Sequence, residues 1–70
     1  MNSIIVTVGT VTYAIKLRKL LTRAGIRSKL IKTEEEYGCL YGVEIDNSDF
    51  YKTVVIMKEN NISYSVKNGL

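Results

Sequence analysis

Two stretches of helical period, each set between stretches of strand period, divide this chain into two similar halves joined by a direct strand-to-strand turn. Few topologies accept that order. Residues 3–8 are β-branched and apolar and suit a strand, which Gly9-Thr10 interrupts. Residues 11–24 carry Ala14, Leu17, Leu20, Leu21 and Ala24 at helical spacing, with Gly25 placed as the C-terminal cap. Residues 26–31 alternate as a second strand, Ile26, Ser28 and Leu30 on one face and Arg27 and Lys29 on the other. The polar residues 32–38 are expected to turn the chain into a third strand, 40–46. Asn47 or Ser48 then reads as an N-cap and Asp49 as a first-turn carboxylate. Phe50, Val54 and Met57, with Tyr51, form the apolar face of a second helix ending near Asn60-Asn61, and Ile62, Tyr64 and Val66 alternate as a fourth strand.

The order βαββαβ predicts an α+β fold, a ferredoxin-like sandwich with one antiparallel four-stranded sheet and both helices on one face. Strands 1 and 3 pair at the centre, and strands 2 and 4 form the edges. Residues 1–70 read as a single domain, with no linker, no low-complexity segment and no proline. A chain of 70 residues buries only about 60% of its unfolded surface, which leaves little room for a large enclosed active site.

Histidine is absent and cysteine occurs once, at Cys39, which removes most metal and acid–base chemistry and leaves one thiol as the strong nucleophile. One cysteine forms no internal disulfide, and the start Met1-Asn2-Ser3 lacks a basic leader. The expected compartment is therefore the cytoplasm, without membrane insertion. Ten Lys and Arg against seven Asp and Glu give a mild net charge of +3, which permits an acidic partner without demanding nucleic acid.

The expected topology puts Cys39 near Val8, Gly9 and the start of helix 1, on the helix-covered side with Tyr41, Val43 and Ile45. Two readings follow. A thiol there is a small hydrophobe capping the core. Alternatively, the free N–H groups and dipole of the helix start, with Gly9 and Thr10, support a thiolate, as such positions lower thiol pKa values from about 8.5 toward about 3.5 to 7.5.

Gly38-Cys39 at the head of strand 3, the segment 14–26 with Leu20-Leu21 and Ala24-Gly25-Ile26, and the ending Glu59-Asn60-Asn61-Ile62-Ser63-Tyr64 together resemble a family of small bacterial domains described as selenium/sulfur (Se/S) carrier-like proteins. The resemblance spans nearly the whole chain, and its chemically pointed element is the Gly-Cys pair. It implies that Cys39 bears a persulfide or selenium adduct, accepted from a donor protein and handed to an acceptor enzyme. On that reading the chain is not itself an enzyme, needs no cofactor or metal, and uses Gly38 to let a partner approach closely. Leu40 stands where the family commonly has glycine, and Thr10-Val11 replaces its usual Ser-Thr. A peroxidase or thioredoxin-like role lacks a resolving cysteine.

Elsewhere, Lys16, Lys19 and Arg23 make a cationic stripe along helix 1, with Arg18 beside them and no acidic residue in that helix. It is a solvated face or a docking surface for an acidic partner protein. Glu44 and Asp46 share a strand face and, without histidine, read as a solvated strand end; the run 34–36 reads as a solvated loop. Gly9-Thr10 reads as a tight turn rather than a phosphate loop. RNA binding ranks third, since Tyr41 and Tyr64 alternate toward the core instead of onto the open face. The open face presents Ile5, Ile31 and Leu40 beside Thr7, Lys29 and Ser65, and five tyrosines are many for this length. These features support the alternative function, a protein-interaction or homodimerisation module with Cys39 as core packing.

Overall fold

A computed structural model describes residues 2–35 and 38–69, apart from the side chains of residue 35 and residues 67–69. The elements run β1 (Ser3–Thr7), α1 (Val11–Arg23), β2 (Ser28–Glu35), β3 (Gly38–Asp46), a 3₁₀ turn (Asn47–Asp49), α2 (Phe50–Glu59) and β4 (Ser65–Gly69). One four-stranded sheet has the order β2-β3-β1-β4 with every neighbouring pair antiparallel, which is the ferredoxin-like arrangement expected. Alternation sends Val6, Val8, Val43 and Ile45 to one face, where they are buried with Ala14, Leu17 and Leu21 of α1 and Met57 of α2. Burying these side chains removes the apolar surface that drives folding, about 25 cal/mol per Å².

Both helices end in the same way. Gly25, at φ 77°, lets the Ile26 N–H turn back to the Leu21 carbonyl at 2.8 Å, and Asn61, at φ 56°, lets the Ile62 N–H reach the Met57 carbonyl at 2.9 Å. Each closure satisfies an orphan helix carbonyl and drops a buried isoleucine onto the core edge.

Several expectations are corrected. Residues 32–35 do not turn: they continue β2, pairing Lys32 with Tyr41, Thr33 with Leu40, Glu34 with Cys39 and Glu35 with Gly38. Polar side chains read as a turn, but an edge ladder is held by main-chain bonds and leaves such side chains in solvent. Residues 36 and 37, part of the expected turn and of the acidic run and the tyrosine set, lie outside the described residues. Neither Asn47 nor Ser48 caps α2. Asp46 instead accepts the Ser48 N–H at 3.0 Å and caps the 3₁₀ turn that leads into the helix. Tyr51 is 78% exposed, a quarter-turn or more from the buried face, and Thr53 is buried in its place, its hydroxyl donating to the Asp49 carbonyl at 2.9 Å. Ala24 is exposed at the C-cap of α1. The fourth strand begins at Ser65, after Ile62 and Tyr64 have packed against the core.

Candidate functional site

The hairpin β2–β3 is longer than the strand that should cover it. β1 stops at Thr7, paired with Gly42, and its last contact with β3 is the Val8 N–H donating to the Tyr41 carbonyl at 2.8 Å. Cys39 lies two residues further out, about 6 to 7 Å at strand spacing. Its parity is the expected one, shared with Tyr41, Val43 and Ile45, but the overhang carries it past the core and leaves it exposed. Because the Tyr41 carbonyl points toward β1, alternation turns the Cys39 N–H and C=O to the same side, where β1 has already ended. Cys39 is thus exposed, and among the described residues no strand pairs with its main chain on that side. The cysteine of the alternative reading, packed into the core, is not what this geometry contains.

Gly38 opens β3 at φ 134°, a conformation that L side chains rarely adopt, and the space where a Cβ would sit is empty. The glycine is therefore required by the backbone. Gly9 is exposed, without a positive φ, and has open space around it. Thr10 is the N-cap of α1, its hydroxyl oxygen accepting the Tyr13 N–H at 3.2 Å. A shallow groove at the end of β1 gathers Thr7, Val8, Gly9, Leu40, Ser63, Tyr64, Ser65 and Val66. It brings Gly9 next to Leu40, the neighbour of Cys39, and does not include Cys39.

The stripe residues Lys16, Lys19 and Arg23 are exposed on the side of α1 opposite Ala14, Leu17 and Leu21. They line a groove with Thr12, Ile15 and Leu20, and Ile15 is 42% exposed among them. An apolar side chain ringed by cations is a surface that an acidic partner can desolvate. The carboxylates Glu44 and Asp46 have structural employment: Glu44 accepts the Ser3 hydroxyl at 3.1 Å, and Asp46 holds both the main chain and the hydroxyl of Ser48. Those bonds from Ser48 keep the Asp46 carboxyl below its ordinary value of 3.8.

One residue that matters was not singled out from the sequence. A Cβ on Gly42 would run into the Val6 carbonyl oxygen and stand 2.9 Å from the Thr7 Cα. β1 and β3 come together closely at that point, and only glycine permits it. A glycine inside an alternating strand was the available signal.

Fold and site together define a small α+β domain that presents a single exposed thiol on an overhanging hairpin. No family model and no curated protein matches the chain.

Proposed function

We propose that this chain is a sulfur or selenium carrier that holds a persulfide or selenium adduct on Cys39 for transfer to a partner enzyme. The observation that carries the reading is the exposure of Cys39 on the hairpin overhang. The Cys39 thiolate attacks the terminal sulfur of a donor persulfide, the donor S–S bond breaks, the donor leaves as its thiolate, and the proton stays on the transferred sulfur. The reverse exchange with an acceptor thiolate unloads it. Catalysis resides in the partners, and the chain requires no metal or cofactor of its own. Gly38 keeps the approach open, Gly9 and Thr10 shape the neighbouring turn, and Lys16, Lys19 and Arg23 dock acidic donor and acceptor proteins. The reducing cytoplasm suits such a thiol. Among the described residues no helix is long and apolar enough to cross a membrane.

The test is alkylation of native and unfolded protein, followed by intact mass after exposure to a persulfide donor or to a selenopersulfide donor (R–S–SeH), whose S–Se bond breaks and whose thiolate leaves as Cys39 takes the selenium. Comparable alkylation rates and a mass gain of one sulfur or selenium atom, absent in Cys39→Ser, are expected. Reaction only after unfolding would sink the reading. The second reading, an interaction or homodimerisation module without chemistry at Cys39, is favoured by the half-buried Ile5, Ile31 and Leu40 on the uncovered sheet face. Full cellular function of Cys39→Ser, with an unchanged fold, would select it.

A further inference from the structure

β2 ends the sheet, and among the described residues no strand pairs with its outer edge. The direction of its main chain follows from the register. The Tyr41 carbonyl faces β1, so Leu40 faces β2 and bonds with Thr33, its register partner. Ser28, Leu30, Lys32 and Glu34 therefore turn their N–H and C=O groups outward. Four residues offer unpaired main-chain donors and acceptors along an extended edge, which is what an incoming strand satisfies. Leu30, in the middle of that edge, is 37% exposed.

Charge along the strand selects the occupant. Arg27 and Lys29 stand at the N-terminal end of this segment, and Glu34 and Glu35 at its C-terminal end. A strand polarised in this way is complementary to itself run antiparallel, since the basic end of one copy lies along the acidic end of the other. The register must pair residues of equal parity, so that each sheet face continues across the junction, and must bring the outward-facing main chains together. Centring it on Ile31 does both: Ile31 meets Ile31, Leu30 meets Lys32, Lys29 meets Thr33, and Ser28 meets Glu34 of the second copy. Ser28 carries the buried hydroxyl oxygen that has no hydrogen-bond partner among the described residues, and the register sets a carboxylate position opposite it. Centring on Lys32 instead sets two like charges face to face.

We propose that two copies of this chain associate through their β2 edges, antiparallel and centred on Ile31, to form one continuous eight-stranded sheet. Cys39 pairs with Glu34, so each thiol lies two strand spacings, about 10 Å, from the basic end of the second copy. This proposal does not depend on the chemistry of Cys39. The test uses sedimentation equilibrium of the full chain and of two charge-reversed variants, R27E/K29E and E34K/E35K, with circular dichroism to verify that each is folded. The wild type is expected to be dimeric at tens of micromolar, roughly the range of modest interfaces. Each variant alone should weaken association at least about tenfold, as like charges meet at both ends. Mixed in equal amounts the two should form a heterodimer, because one is acidic at both ends and the other basic at both. A monomeric wild type, a dimer indifferent to the variants, or singly weakened variants that do not pair on mixing would each overturn it.

Discussion

The two halves of the molecule, β1-α1-β2 and β3-α2-β4, reach the same helix closure with different residues. In the first, Gly25 takes the left-handed position and Ile26 reaches back to Leu21. In the second, Asn61 takes it and Ile62 reaches back to Met57. The backbone geometry is shared, while the ease of adopting it is not, since asparagine tolerates a positive φ that costs glycine nothing. The halves also load the core unequally. Among the described residues α1 buries Ala14, Leu17 and Leu21 completely, whereas α2 buries Met57 with the hydroxyl-bearing Thr53. Local closure is thus a matter of main-chain bonding that several residues can satisfy, and anchoring to the sheet depends on how much apolar surface each helix brings.

The largest effect is expected where the halves are joined. Gly42→Val drives a branched side chain into the β1 backbone at Val6 and Thr7, and a domain of this size has only about 4 to 10 kcal/mol of stability to lose. Such overpacking costs about 3 kcal/mol or more. Urea titration followed by circular dichroism should show a population already unfolded without denaturant; a midpoint near that of the wild type would mean that the two strands can move apart at little cost.

Next come the equivalent core positions. Leu21→Ala and Met57→Ala are each expected to destabilise by about 2 to 5 kcal/mol, with Leu21 the larger because α1 buries three apolar side chains completely and α2 only Met57. Chemical denaturation of both variants ranks them, and a larger loss at Met57 would reverse the stated asymmetry of the helices.

The closures themselves give smaller, opposite changes. Gly25→Ala should cost about 1 to 2 kcal/mol, the penalty of a Cβ in the left-handed region, and Asn61→Gly should change stability by under about 1 kcal/mol in the favourable direction. Thermal melts of the two variants read both signs. Loss of stability in Asn61→Gly would indicate that the asparagine side chain makes a contribution glycine cannot replace.

The smallest effect separates the entries to the two helices. α1 is capped by neutral Thr10, while the 3₁₀ turn before α2 is capped by the charged Asp46. The Asp46 carboxyl lies below its ordinary value of 3.8 because Ser48 donates to it from its side chain and then its main chain. The ionised form is thus favoured by folding. Its contribution is complete above the unfolded value and is lost as pH falls through the folded one. Asp46→Asn, which keeps an acceptor for Ser48, should flatten the decline of thermal stability as pH falls below the ordinary carboxyl value of 3.8. An unchanged acid profile would assign the decline to other carboxylates.

Much of the fold was legible because period and punctuation agree. The spacing of Ala14, Leu17 and Leu21, the glycine after them and the alternation of Ile4, Val6 and Val8 each name one element and one face. The ends of strands were less legible. Residues 32–35 are polar and read as a turn, yet they complete β2, because the edge of a sheet asks for main-chain pairing and not for burial. The same difference in length sets the environment of Cys39: a second strand ending at residue 31 puts the cysteine near the core, whereas four more paired residues carry it out along the hairpin. Gly42 escaped notice for a similar reason, as its role lies in the distance to a strand some 35 positions earlier in the chain.

The sequence by itself determined the order of elements, the face α1 buries, the closure at Gly25 and the presence of one thiol in a chain without histidine. Those are consequences of local period, backbone freedom and composition. Only the tertiary structure decided that the β2–β3 hairpin outruns β1, that Cys39 is exposed, that a side chain at Gly42 would meet the β1 backbone and that β2 is a charged edge without a strand partner among the described residues. Each of these depends on where one strand stops relative to another. Relative strand length is fixed by long-range pairing and core packing, which no local window of residues contains.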